Sequence, residues 1–349
     1  MSVGVIAECL EQLGQGQRLT QEKAYQLMDA IMSGEATPAQ IGGVLMALRV
    51  RGETVEELTG FALAMREHAA PVPVRTRPLI DTCGTGGDRS FTFNVSTVSA
   101  FVVAGSGLHV AKHGNRSATS KSGSADLLEA LGVAIQADEA WAGRLIDEIG
   151  FGFLFAQQVH TSMRHAGPTR RELGVRTVFN VLGPLTNPCA PDYQLMGVFA
   201  ADWVDRIAEV LARLGVRRAM VVHGHGGLDE VSLSGPTQYS LVTEDGIESG
   251  QFSPEDLGLP TYPVGSFVGG DPAANADICR QILSQQAAGP MTDMVLANAG
   301  AALFVGGQAD SLRDGVERSR EIVQSGRAHD VLQALIRASQ ELAPERRDA

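Results

Sequence analysis

Leu79-Ile80-Asp81-Thr82-Cys83-Gly84-Thr85-Gly86-Gly87-Asp88 opens on an apolar stretch and runs straight into a turn that carries three glycines. This is the pattern of a buried strand ending in a ligand-facing loop. Glycine lets backbone N–H groups turn inward with no Cβ in the way, which makes a concavity suited to phosphate oxygens. The loop is no dinucleotide fingerprint, because Arg89 stands where GxGxxG needs its last glycine, and the chain contains no GxxxxGK[ST].

Just downstream, Asn94-Val95-Ser96-Thr97 sets short polar side chains at the start of an apolar helix with Val98 to Val103 as its body. Free N–H groups at such a helix start favour anions. A second strand candidate, His109 to Ala111, leads into Lys112-His113-Gly114-Asn115-Arg116-Ser117-Ala118-Thr119-Ser120-Lys121-Ser122-Gly123-Ser124. Its cations, hydroxyls and glycines read as a flexible clamp for a polyanion. Leu195 to Phe199 and Ala219 to Val222 are further strand candidates. Short apolar runs alternating with helical stretches argue for an α/β fold with a mostly parallel sheet, whose ligands sit outside the carboxyl ends of the strands. Beyond the last of these strands, Asp229-Glu230 offers two adjacent carboxylates that can hold magnesium while substrate phosphates complete its shell.

Upstream the pattern is helical. Ala24, Leu27, Met28 and Ile31 share a face ahead of Gly34, a candidate C-terminal cap, and Thr37-Pro38 opens a helix striped by Ile41, Leu45 and Leu48. Thr54 and Glu57 form a capping-box pair for a further helix to about Glu67. Pro71, Pro73 and Pro78 then mark a linker. The expected division is a small helical domain over residues 1–72, joined in space by helices around 170–188, and a larger α/β domain over 73–349 ending in a frayed tail.

With 349 residues and 44% hydrophobic content, the chain can bury a substantial core. Its apolar runs fall short of the roughly 18 to 20 residues that span a bilayer. The start lacks the basic and apolar regions of a secretory signal, so a cytoplasmic location is expected. Four cysteines without a CxxC pair fit a reducing compartment and give no reason to expect disulfides or zinc. A net charge of −12 argues against nucleic acid and anionic membranes as partners. Against that background the cluster of Lys112, His113, Arg116 and Lys121 points to a small anionic substrate.

In this order, the motifs resemble the anthranilate phosphoribosyltransferase family along nearly the whole chain: the helical start, Gly84 to Asp88, Asn94 to Thr97, Lys112 to Ser124, Gly167 to Pro188 and Gly227 to Glu230. The resemblance implies a fold like that of nucleoside phosphorylases and phosphoribosyltransferases. It also implies transfer of the phosphoribosyl group of phosphoribosyl pyrophosphate to the amine of anthranilate, in tryptophan biosynthesis. Phosphoribosyl pyrophosphate would then be held by Gly84, Gly87, Asp88, Thr92, Asn94, Val95, Ser96, Thr97, Lys112, His113, Gly114, Asn115, Arg116, Ser117, Ala118, Thr119, Ser120 and Ser124. Gly84, Asn115 and Arg170 would meet anthranilate. Ser96, Asp229 and Glu230 would hold Mg2+, usually two ions, and Lys112, Asp229 and Glu230 would be the catalytic set. A homodimer formed through the helical domain is implied as well.

The chain departs from the family pattern at three places. Gln157 stands where many members carry Pro, Thr161-Ser162 replaces Pro-Ala between His160 and Met163, and Arg89-Ser90 stands where a glycine often follows the loop. The first two touch the acceptor channel. The amine of anthranilate is a weak base, so its lone pair needs no strong general base; His113 and His160 are candidates for lining the acceptor site, but a structural or orienting role is expected for each. A nucleoside phosphorylase of similar architecture is the competing enzyme, set against the presence of Asp229-Glu230 and Arg170. A nucleic-acid-binding relative, which retention on heparin would reveal, is set against the acidic charge.

Overall fold

The computed structural model describes residues 2–87, 90–117, 121–136 and 138–341. Four helices come first: α1 (Ser2–Gly14), α2 (Gln21–Met32), α3 (Pro38–Arg51) and α4 (Val55–Glu67). Thr37 with Gln40, and Thr54 with Glu57, close reciprocal capping boxes. The α2 cap is Ser33, and Gly34 lies one position beyond it at φ 78, where a left-handed residue ends a helix without Cβ strain. The Glu57 carboxylate is fully buried, yet it accepts from Leu19 N at 2.8 Å and Thr54 N at 2.9 Å and pairs with Arg51.

The strands are β1 (Leu79–Gly84), β2 (His109–Gly114), β3 (Phe151–Phe155), β4 (Tyr193–Gly197), β5 (Arg218–Gly224), β6 (Thr237–Thr243) and β7 (Gly246–Phe252). They form one sheet in the order β3-β2-β1-β4-β5-β6-β7. The first five run parallel, while β6 and β7 are antiparallel. β3, β6 and β7 are absent from the sequence candidates; β1, β2 and β5 run two or three residues longer than expected, and β4 starts and ends two residues earlier than Leu195 to Phe199.

Helices cover both faces of the sheet. On one face lie α5 (Val95–Ala104), α6 (Ser124–Leu131) and the C-terminal helices, around a core with Phe101, Phe151, Met220 and Leu303, while α7 (Glu139–Ile149) sets Ala142 and Ile146 against Ala111 and Leu154 in a separate cluster. On the other face, Met196, Val198, Ala219 and Val221 share a core with α1–α4, with the helix Val204–Arg213 and with residues 178–185. The helical portion is therefore docked onto the sheet through continuous apolar packing. No helix among the described residues is long and apolar enough to cross a membrane.

Candidate active site

β1 pairs with β2 on one side and β4 on the other, so the chain leaves its carboxyl end in opposite directions on either side of a crevice. Open α/β sheets bind ligands at such switch points. The glycine loop begins here. Thr85 N donates to Gly197 O at 3.0 Å and Thr85 Oγ1 accepts from Phe199 N at 3.1 Å, which stitches the loop to the end of β4. Gly86 and Gly87 take φ of 65° and 76°, a conformation that turns their N–H groups out of the strand direction.

The acid pair arrives from β5. Gly224 N donates to Leu228 O at 2.8 Å across a tight turn in which Gly226 and Gly227 have φ of 82° and 85°. Buried Leu228, Val231 and Leu233 anchor the segment around Asp229-Glu230. Asp229 Oδ2 accepts from Gly86 N at 2.6 Å. This close approach depends on glycine, because a Cβ at Gly84 would strike the Asp229 carboxylate and one at Gly197 would overlap the Asp229 backbone carbonyl. Asn298, buried in the helix Pro290–Val305, fixes the segment from behind. Its Oδ1 accepts from Val231 N at 2.9 Å, and its Nδ2 donates to Val231 O at 3.0 Å.

Ser96, Asp229 and Glu230 line one small cavity with Thr82, Ser99 and Asn298. Ser96, Asp229 and Glu230 offer only oxygens, which suits a hard divalent cation such as magnesium; Cys83 lines the same cavity, but burial pushes its thiol up, away from the thiolate a soft metal needs. Among the described residues no three or more His, Cys, Asp or Glu converge as a metal cage. A cation bound here would therefore need further oxygens from substrate or water, an arrangement magnesium accepts.

Asn94 is the N-cap of α5, and neither Ser96 nor Thr97 caps it. Its amide donates to Ser122 O at 3.0 Å and accepts from Asn275 Nδ2 at 2.9 Å, tying the helix start to the loop after β2 and to the helix Pro272–Leu283. The Thr97 hydroxyl is buried without a partner, and Thr92 bridges Val268.

The sequence places Lys112 in a flexible clamp, and the structure corrects this. Lys112 belongs to β2, is 1% exposed, and donates from Nζ to Thr82 O at 2.6 Å and to Ser96 Oγ at 3.5 Å. Burial pushes its amine below the usual range, against the pull of Asp81. Burial likewise pushes the Asp81 carboxyl up to about 6, opposed by Lys112 and by Asn187, whose Nδ2 donates to Oδ2 at 2.9 Å. Lys112 is thus a strut beneath the glycine loop and the α5 start, held by a strand rather than a loop.

Gly114 ends β2, and Asn115 is exposed there; its Oδ1 accepts from Gln157 Nε2 at 3.2 Å. The departure at Gln157 therefore touches Asn115 directly. The Arg116 guanidinium faces α6, paired with Asp126 at 2.9 Å and with Glu129 at 2.5 Å. Asp126 organises this loop, accepting from Ser117 N at 3.0 Å and Gly123 N at 2.8 Å. Burial raises its carboxyl, but these donors and Arg116 outweigh it and hold it below the ordinary value. Ser124 Oγ donates to Asn115 O at 3.3 Å. Asp88, Ala118, Thr119, Ser120 and the tail 342–349 lie outside the described residues.

Arg170 sits in the helix Gly167–Leu173 with its guanidinium 6.0 Å from the centre of the Phe179 ring. Its burial lowers the pKa, and no carboxylate among the described residues pairs with it, including its neighbour Glu172. His113 and His160 are buried edge to face, with ring centres 5.0 Å apart. Burial, then the neighbouring His160, lowers His113 to about 3, and burial lowers His160 to about 4.

Both rings are neutral in the fold at neutral pH. An unfolded histidine titrates near about 6.5. As pH falls from there toward 4, the unfolded chain takes up protons that these folded rings refuse. Their contribution to stability is complete above about 6.5 and is lost on acidification. Asp81, with its raised pKa, has the opposite sign over the range from an ordinary aspartate value up to about 6. Glu53, also raised by burial, has the sign of Asp81, but the two histidines shift furthest, so melting temperature should fall with acidification, and His113→Asn with His160→Asn should flatten that fall. An unchanged slope between about pH 6.5 and 4.5 in a thermal-unfolding series would reject the assignment.

Sequence reasoning missed Gly197, Asn298 and Asp126, which position the acid pair and the second loop. Comparison with known proteins finds the same two-part fold. Residues 7–69 match the helical bundle domain, and residues 76–329 the α/β domain, of a glycosyl transferase family. An anthranilate phosphoribosyltransferase of Symbiobacterium thermophilum is 50% identical over 327 residues, 93% of this chain and 95% of that one. The crystal structure of the anthranilate phosphoribosyltransferase of Thermus thermophilus superposes with a TM-score of 0.90 at 44% identity, covering 95% and 99% of the two chains. The Saccharomyces cerevisiae enzyme, solved in complex with phosphoribosyl pyrophosphate and magnesium, gives a TM-score of 0.90 at 28% identity over 97% and 99%. By sequence, fold and arrangement of loops, the chain belongs to the anthranilate phosphoribosyltransferase family.

Proposed function

We propose that the chain carries out its family's reaction, transfer of the phosphoribosyl group to the amine of anthranilate in tryptophan biosynthesis, in the crevice between β1 and β4. The observation that carries this placement is the convergence of the glycine loop, the start of α5 and the acid pair on one cavity.

Breaking the bond from ribose C1 to pyrophosphate as the amine attacks builds positive charge on the sugar and negative charge on the leaving group. Catalysis then comes mainly from positioning and from stabilising pyrophosphate. The N–H groups of Gly86 and Gly87 and the α5 start supply oriented donors. Buried Lys112 holds them in place and adds a fixed positive charge beneath them. Magnesium bound by Ser96, Asp229 and Glu230, which we take as two ions, would neutralise the departing pyrophosphate. The neutral imidazoles of His113 and His160 line the acceptor side without acting as acids. The assignment of the remaining phosphoribosyl pyrophosphate contacts to Gly84, Thr92, Asn94 and the stretch from Lys112 at the end of β2 through the following loop to Ser124 is part of the same proposal. So are a homodimer through the helical portion, residues 1–72, and a cytoplasmic location.

Arg170 is the proposed partner of the anthranilate carboxylate, since a guanidinium donates two parallel hydrogen bonds and this one has no carboxylate of its own. Arg170→Ala should raise the apparent KM for anthranilate by roughly ten- to a hundredfold, the equivalent of losing a charged hydrogen bond. The KM for phosphoribosyl pyrophosphate should move little. Unchanged saturation by anthranilate would transfer the role to Arg171 or Arg164. The direct test of the proposal combines protein, anthranilate, phosphoribosyl pyrophosphate and magnesium, with loss of anthranilate fluorescence followed against release of pyrophosphate. Phosphate-dependent cleavage of a nucleoside without that reaction would overturn it.

A further inference from the structure

Beside the glycine loop, and separate from the cavity of the acid pair, a cleft of about 390 Å³ opens between the α3–α4 turn and the segment after β4. Three guanidiniums converge on it. Arg49 donates to Arg176 O at 2.9 Å, Arg206 donates to Glu53 O at 3.3 Å, and Arg176 donates to Gly87 O. All of these acceptors are neutral carbonyls, and none of the three arginines forms an ion pair with a carboxylate among the described residues. In a chain of net charge −12, three guanidiniums on one cavity, set against the two carboxylates Glu53 and Asp202 on the same wall, leave a local cationic excess.

A second observation also points to a ligand. Thr177 lines the same cleft, is only 6% exposed, and its buried hydroxyl has no hydrogen-bond partner. Glu53 is on the wall too; burial pushes its carboxyl above its usual range, opposed by the nearby Arg206 and Arg51. The aromatic rings are already engaged: Arg176 lies 4.4 Å from the Phe199 ring centre, Arg206 lies 4.7 Å from that of Trp203, and the two rings face each other at 6.1 Å. What the cleft still offers is N–H and O–H donors, which recognise oxyanions.

We propose that this cleft is a second anion site, which takes a multiply charged phosphoryl group and is coupled to the catalytic loop through the Arg176–Gly87 contact. An anion that draws Arg176 toward the cleft competes with the Gly87 carbonyl. Occupancy therefore changes the hold on the loop and the affinity of the catalytic site for phosphoribosyl pyrophosphate.

Calorimetric titration without magnesium tests this, with inorganic phosphate, pyrophosphate and ribose 5-phosphate as probes. The proteins are wild type, Arg49→Ala with Arg206→Ala, and Asp229→Asn with Glu230→Gln. At least one probe should bind wild type and the acid-pair variant alike and bind the cleft variant roughly ten- to a hundredfold more weakly. The same probe should shift the KM for phosphoribosyl pyrophosphate in wild type and leave the cleft variant, whose turnover stays at the wild-type rate, unshifted. Preference for ribose 5-phosphate would assign a sugar phosphate as the source, and preference for the inorganic probes a free anion. If the double variant loses its near-ultraviolet circular dichroism, Thr177→Val replaces it and should weaken the same probe severalfold. Equal affinity in wild type and the cleft variant, or no binding of any probe at millimolar concentration, overturns the proposal. Absence of turnover in wild type would instead count against the proposed reaction and leave this binding result standing.

Discussion

Asp229→Asn combined with Glu230→Gln should lower turnover by on the order of a hundredfold or more, the scale set by several kcal/mol of lost charge stabilisation at the leaving group. The substitution is nearly isosteric. An asparagine oxygen can still accept from Gly86 N, and Asn298 still grips Val231 on both backbone groups, so the segment keeps its place while two negative charges disappear. The defect should therefore appear as a loss of magnesium response, with the melting temperature nearly unchanged. Steady-state rates over a magnesium series decide the matter. Turnover that survives both the double variant and excess chelator would remove the acid pair from the mechanism.

Gly197→Ala should be nearly as damaging, although residue 197 carries no functional group. Its new Cβ would overlap the carbonyl oxygen, carbonyl carbon and Cα of Asp229. Those are backbone atoms, which cannot swing aside as the tip of a flexible side chain can. Either β4 or the acid segment must move, and a displacement of about 1 Å at a catalytic group costs about a hundredfold in rate. Gly265→Ala, where a Cβ would meet nothing within 4 Å, serves as the control. A Gly197→Ala protein that works at the wild-type rate would show that the tight contact between β4 and Asp229 has no part in catalysis.

These two sites mark the limit of what the sequence discloses. The glycine loop, the start of α5 and the acid pair are legible because each concentrates several unusual residues in a short stretch behind an apolar run. Gly197 is a single glycine, and its importance comes from a backbone that approaches across a gap of thirty-odd residues. Asn298 left a faint signal: one amide in the otherwise apolar run Met294 to Val305, where a helix hydrophobic all round must be buried and its polar member must find partners. β3 is an apolar pentamer, Phe151-Gly152-Phe153-Leu154-Phe155, too short to tell from a helix by periodicity. β6 and β7 are largely polar, and their one strong cue is the dipeptide Asp245-Gly246 at the hairpin turn. Lys112 was misplaced for a related reason: composition sees a cation beside glycines and serines, whereas only the sheet register shows it inside a strand.

The contact from Asp229 to Gly86 means that the loop meets every incoming ligand already holding a tethered competitor. Binding there is a swap of one negative oxygen for another, so its net free energy is smaller than the count of donors suggests. A cation engaging the carboxylate, as proposed above, would weaken that competitor and tighten the loop for pyrophosphate, and by reciprocity pyrophosphate would tighten the hold on the cation. On the proposed assignment, metal and substrate would thereby be linked as cooperative ligands before any chemistry begins, through one hydrogen bond that both would weaken.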